Sequence, residues 1–178
     1  HPYTPAYYDL FKDRRKSAKK VLELGVLEGR SLMMWREFFP NAHIYGIDVN
    51  EDCIRIFEDD DRVTVFEYDQ TSPRDMIELI DKIGSDIDIV VDDGSHIPPH
   101  QIYACLTLMK LIDKGVIYVV EDVKAPRPRK GYLGIKFFLR GYDVNEPNLE
   151  PIRKKYGIGR HRGDDRLIVV KHREKGYG

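Results

Sequence analysis

Short apolar runs recur along the first 122 residues, each followed by a segment of helical character, and this alternation limits the folds open to the chain. Lys20 to Gly25, His43 to Asp48, Arg62 to Tyr68, Ile87 to Asp92 and Gly115 to Glu121 read as five strands. Between them Ser31 to Phe39, Glu51 to Glu58, Ser72 to Ile83 and Pro99 to Ile112 read as helices, the third opened by a serine cap and a first-turn proline. Strands separated by helices of this length imply right-handed crossovers and a parallel sheet covered on both faces, so the predicted class is α/β, doubly wound. In such a sheet, ligands bind beyond the carboxyl ends of the strands.

After Asp122 the pattern loosens into APRPRKGY, a helix-like stretch near Leu133 to Arg140, and two candidate strands, Ile152 to Tyr156 and Leu167 to His172. That last pair is expected to close the sheet as a C-terminal antiparallel hairpin. Charge divides at the same point: residues 1–122 carry 14 basic and 24 acidic side chains, and 123–178 carry 15 and 6. The basic third, including Arg127, Arg129, Lys130, Arg153, Lys154 and Lys155, reads either as a solvated face or as a surface for an anionic partner such as RNA. No run approaches the roughly 20 apolar residues of a membrane span. Cys53 and Cys105 match no zinc spacing and read as small core residues, so a soluble, cytoplasmic chain is expected. A homo-oligomer is compatible with the sequence.

Glu23-Leu24-Gly25-Val26-Leu27-Glu28-Gly29 ends the first strand, where Gly25 and Gly29 let the backbone turn and approach a ligand over the next helix. The spacing GxxxG lacks the middle glycine of the dinucleotide fingerprint, which weighs against a nicotinamide reductase. Asp48, ending the second strand, is placed to accept from both ribose hydroxyls of an adenosyl group, or else to cap a helix. Asp69 and Gln70 after the third strand reach either an adenine amino group or a helix N-terminus. The densest cluster is Asp92-Asp93-Gly94-Ser95-His96, faced across the adjacent strand by Glu121-Asp122. Four carboxylates in one crevice raise one another's pKa unless a divalent cation lies between them, and oxygen donors favour Mg²⁺ or Mn²⁺ over zinc. His96 beside them is placed to take a proton from a substrate hydroxyl. Pro98 and Pro99 separate His96 from His100, which rules out a shared helical zinc face.

Together HPYTPAYYDLF, VLELGVLEGRSLMMWREFFPNAHIYGIDV, YDQ, VVDDGSHIPPHQ and IYVVEDV resemble class I methyltransferases, in particular the metal-dependent sugar O-methyltransferases of macrolide biosynthesis. The resemblance covers residues 1–123, and its paired DDGSH and ED motifs are more specific than its glycine loop. It implies a Rossmann-like fold and an S-adenosylmethionine-dependent O-methyltransferase acting on a hydroxyl of a sugar or other small polyhydroxylated molecule. It implies Mg²⁺ bound by Asp93, Glu121 and Asp122, with His96 as general base and Asp93 beside it. Cofactor contacts are implied at Glu23, Gly25, Ser31, Asp48, Asp69 and Gln70, to which Gly29 and Asp92 are added from the same loops. The chain departs from the pattern at Glu28, Arg30 and Tyr68, the last standing where relatives have glycine. The expected organisation is one domain over 1–178: a helical lead-in (1–19), a cofactor- and metal-binding core (20–122), and a basic substrate-side segment with closing strands (123–178). Two other readings stay open: a methyltransferase for RNA or a phosphorylated substrate, and an inactive nucleoside-binding module.

Overall fold

The computed structural model describes residues 3–125, 134–159 and 166–174. Five parallel strands are built from the predicted runs: β1 (Lys20–Leu24), β2 (His43–Asp48), β3 (Val63–Glu67), β4 (Ile89–Asp92) and β5 (Ile117–Val120). With β6 (Asp143–Asn145) and β7 (Ile168–Lys171) they form one sheet of order β3-β2-β1-β4-β5-β7-β6. The order reverses between β1 and β4, which opens a crevice at their carboxyl ends.

All four residues of β4 and of β5 are buried, as strands covered on both faces must be. Alternation along each strand divides the core in two. On one side Val21, Ile44, Val65, Ile89 and Val119 pack with α1 (Tyr3–Phe11) and α2 (Arg30–Phe38), around Phe11, Trp35 and Phe39. On the other, Leu22, Leu24, Ile47, Val90 and Tyr118 pack with α4 (Pro73–Ile83) and α5 (Pro98–Leu111), through Met76, Leu79, Cys105 and Leu108. Ser72 caps α4, its hydroxyl accepting from the Asp75 N–H at 3.2 Å. Cys53 and Cys105 are buried and unpaired with each other. Among the described residues no helix is long and apolar enough to cross a membrane.

Two expectations are corrected. The helix read over Glu51 to Glu58 is a single turn, α3 (Asp52–Arg55), followed by turns in which Phe57 packs in the core beside Gly29. The segment Ile152 to Tyr156 is not a strand but part of α7 (Glu150–Tyr156), which starts with a proline in its first turn and stops at Gly157, φ 64°. Arg153 is the residue α7 buries, and Ile152 and Tyr156 stand four apart, a helical rather than a strand spacing. The antiparallel closure exists, but β7 pairs with the three residues of β6, Val144 opposite Val170. The predicted helix near Leu133 to Arg140 is the short α6 (Ile135–Phe138).

Candidate functional site

A cavity of about 730 Å³ lies over the carboxyl ends of β1 to β4. Its size is that of a site for a nucleotide-sized ligand. Gly25, Ser31, Asp48, Asp69, Gln70, Asp93 and His96 all reach its wall, and so do the exposed apolar side chains Leu27 and Val49.

Gly25 is fixed by geometry. Its φ is 89°, and a Cβ there would lie 2.5 Å from the Asp93 carbonyl oxygen, so only glycine lets the β1 loop close on the β4 loop. Asp48 ties that loop from the other side, its Oδ2 accepting from the N–H groups of Val26 (2.9 Å) and Leu27 (3.1 Å). Burial works to raise the Asp48 carboxyl, but the N–H groups of Leu27, Asn50 and Val26 outweigh it and hold it below the usual range.

Of the other predicted contacts, Asp69 and Gln70 reach the wall, while Gly29, Asp92 and Glu23 lie off it. Gly29 turns away from the cavity, where a Cβ would strike the Phe57 ring at 2.5 Å. Asp69 closes a local turn, accepting from the Thr71 N–H at 2.7 Å. Gln70 spans two loops: its amide donates to Asp92 Oδ1 (3.2 Å), and its oxygen accepts from the Ser95 N–H (2.9 Å). Asp92 is fully buried beneath the cavity floor, also held by the Tyr118 hydroxyl, and burial pushes its carboxyl up to about 7. Glu23 is likewise buried and off the wall; burial pushes it up to about 8, with Ser31 opposing and Asp93 adding to the rise. Its Oε2 has no hydrogen-bond partner. Of the basic third, Arg127, Arg129 and Lys130 lie outside the described residues, Arg153 is buried, and Lys154 and Lys155 are exposed.

At the β4–β5 end, Asp93, His96 and Asp122 bring one ligand atom each within 4.8 Å of one another, the one such group among the described residues. His96 Nε2 stands 3.8 Å from Asp93 Oδ1. His96 and Asp122 both have left-handed backbones, φ 52° and 49°, an uncommon conformation outside glycine that aims both side chains into the crevice. Burial pushes Asp93 up to about 6, opposed by His96 and reinforced by Asp122. Glu121 stands behind this trio, its carboxyl raised by burial and by Asp93, with Tyr7 opposing. Raised acids at short range fit a divalent cation, whose charge would offset the repulsion.

Two residues of the site went unread in the sequence. Tyr7 donates its phenol proton to Glu121 Oε1, and Tyr3 donates to Asp122 Oδ1 at 2.5 Å. The available signal was their spacing, four apart on one helix face. Gly94, within the Asp92–His96 cluster, is held by space: a Cβ there would overlap the Gln70 side-chain oxygen.

The chain is 38% identical over 131 residues to the 8-demethyl-8-alpha-L-rhamnosyl tetracenomycin-C 2'-O-methyltransferase of Streptomyces olivaceus, covering 70% of the chain and 34% of that protein. It is 35% identical over 130 residues to the mycinamicin VI 2''-O-methyltransferase of Micromonospora griseorubida, covering 69% and 32%. Over this stretch the chain is similar to sugar O-methyltransferases. Its fold superimposes on the solved MycE methyltransferase, a complex with Mg, SAH and mycinamycin VI, with a TM-score of 0.73 and 26% identity over 99% of this chain and 51% of that one. The chain thus matches about a third of the length of these curated relatives. No protein-family model matches it. The methyltransferase fold is shared across the seven strands, including the antiparallel end.

Proposed function

We propose that the chain is an S-adenosylmethionine-dependent O-methyltransferase, assisted by Mg²⁺ or Mn²⁺, for a hydroxyl of a sugar or similar small polyhydroxylated molecule. The observation that carries this reading is the convergence of Asp93, His96 and Asp122 at the edge of a cavity that Gly25 and Asp48 also line. We further propose one methyltransferase domain over 1–178, with 1–19 as lead-in, 20–122 as the binding core and 123–178 as the substrate side. Two free buried cysteines accord with a cytoplasmic setting.

In this mechanism Asp48 receives ribose hydroxyls while Leu27 and Val49 flank the adenine. Gly25 lets the backbone approach the amino-acid end of the cofactor, beside Ser31 and above buried Glu23. Asp93 and Asp122, with Glu121 behind them, would hold the cation, which when bound lowers the pKa of an acceptor hydroxyl. His96 takes that hydroxyl's proton while the O–C bond forms and the S–C bond of the sulfonium breaks, leaving S-adenosylhomocysteine. Orientation of the two reactants supplies much of the rate.

The test is calorimetric titration of S-adenosylhomocysteine into the protein with Mg²⁺ present, beside Asp48→Ala, followed by methyl transfer to a panel of sugar and diol acceptors. Micromolar binding that Asp48→Ala abolishes, with transfer to a vicinal diol, is the expected result. Absence of binding by the wild type would replace the enzyme with a module that keeps the fold alone.

A further inference from the structure

Glu121 and Asp122 are consecutive residues after β5, and consecutive side chains of an extended strand point to opposite faces. The left-handed φ of 49° at Asp122 breaks that alternation. Both carboxylates consequently meet hydroxyls from one face of α1, Tyr7 at Glu121 and Tyr3 at Asp122. The two tyrosines lie one helical turn apart and are both buried, 2% and 5% exposed, which fixes the direction of each hydroxyl. Tyr7 is further locked by an edge contact with Trp35 (4.9 Å between centroids) and a stacked contact with Phe11 (5.5 Å). On the opposite side the Gln101 amide holds the Glu121 carbonyl at 2.8 Å.

We infer that Tyr3 and Tyr7 are positioning residues for a divalent cation: Tyr3 occupies one oxygen of Asp122 so that the other is presented singly to the metal, and Tyr7 fixes Glu121 behind Asp93, His96 and Asp122. This rests on the metal-assisted reading above. A carboxylate free to rotate can chelate with both oxygens or turn away. A phenol bonded to one oxygen removes both options and also steadies two neighbouring acids before the cation arrives. The lead-in helix is then part of the active site, which accounts for a tyrosine-rich segment that the cofactor cavity leaves unused. Neither tyrosine touches the reacting atoms, so both act through the carboxylates.

The experiment follows loss of the free Mn²⁺ signal by electron paramagnetic resonance during titration of the wild type, Tyr3→Phe, Tyr7→Phe and Asp93→Asn. S-adenosylhomocysteine affinity and thermal midpoint are measured on each. Phenylalanine keeps the ring contacts with Trp35 and Phe11, so Tyr7→Phe removes the hydroxyl alone; Tyr3→Phe, near the start of α1, is the second variant. The expected result is Mn²⁺ affinity weakened by about tenfold or more in each tyrosine variant, the usual effect of removing a partner that orients a metal ligand, with S-adenosylhomocysteine affinity unchanged. Mn²⁺ affinity within twofold of wild type in both, even with a lowered melting point, would overturn the inference and assign the tyrosines to packing. Binding lost in Asp93→Asn but intact in the tyrosine variants leaves the metal reading standing and removes this one. No Mn²⁺ binding by the wild type removes both.

Discussion

Asp48 accepts the backbone N–H of Leu27 at 3.1 Å, joining the end of β2 to the glycine loop of β1 across 21 residues of chain. One carboxylate thereby shapes the loop and also lines the cavity. The adjacent Val26 N–H shares the same oxygen, and the Asn50 N–H takes the other at 3.0 Å. Asp48→Ala strips three backbone donors of their acceptor. Affinity for S-adenosylhomocysteine should fall at least about tenfold, roughly 1.4 kcal/mol, by calorimetry. An unchanged affinity would place the nucleoside elsewhere.

Gly25→Ala forces a Cβ to within 2.5 Å of the Asp93 carbonyl at a φ of 89°. Strain of this kind costs about 1–3 kcal/mol, so the melting temperature should drop and cofactor binding weaken as the β1 and β4 loops part. Gly115→Ala is the control, since nothing lies within 4 Å of its Cβ position. Equal melting temperatures for the two variants would refute the packing argument.

His96→Ala should keep S-adenosylhomocysteine affinity within about twofold while turnover falls about 10²- to 10⁴-fold, the usual worth of a positioned base. Asp93→Asn should instead abolish the response of turnover to added Mg²⁺. Both are read from initial rates at saturating acceptor. Unchanged turnover in His96→Ala would move the base to another group.

Burial pushes Glu23 from 4.5 to about 8, with Ser31 opposing. The native chain therefore holds this proton more tightly than the unfolded chain does. Its contribution to stability is full below about pH 4.5 and is lost as the pH rises through about 8. Asp92, raised to about 7, adds a loss of the same sign. Denaturant unfolding of the metal-free protein should show stability declining between about pH 5 and 8. Glu23→Gln, which mimics the protonated acid, should flatten that decline, and parallel slopes for the two proteins would exclude Glu23 as its source.

The helices and strands of the first 122 residues were legible because their signals are local. A buried parallel strand reads as an unbroken apolar run, as in Ile89 to Val91, and a capped amphipathic helix announces its own start, as at Ser72 and Pro73. The failures share a cause. Ile152 to Tyr156 winds as a helix, with Pro151 in its first turn, Gly157 at its end and Arg153 finding its place inside. After the single turn of α3, the Phe57 ring fills space beside Gly29, a neighbour 28 positions away that local pattern does not reveal.

The site divides along the same line. Which residues stand at each strand end, namely Gly25, Asp48, Asp93, His96, Glu121 and Asp122, follows from sequence order, because a parallel sheet delivers every strand's carboxyl end to one edge. Which of them face the cavity was decided by tertiary structure. Asp92 and Asp93 are adjacent in sequence, yet one is sealed under Tyr118 and Gln70 while the other lines the crevice. Left-handed backbones at His96 and Asp122, and two tyrosine hydroxyls brought from more than 110 residues away, settled the acid cluster. Side-chain direction at a strand end depends on what packs against it, and that partner is chosen only when the chain has folded.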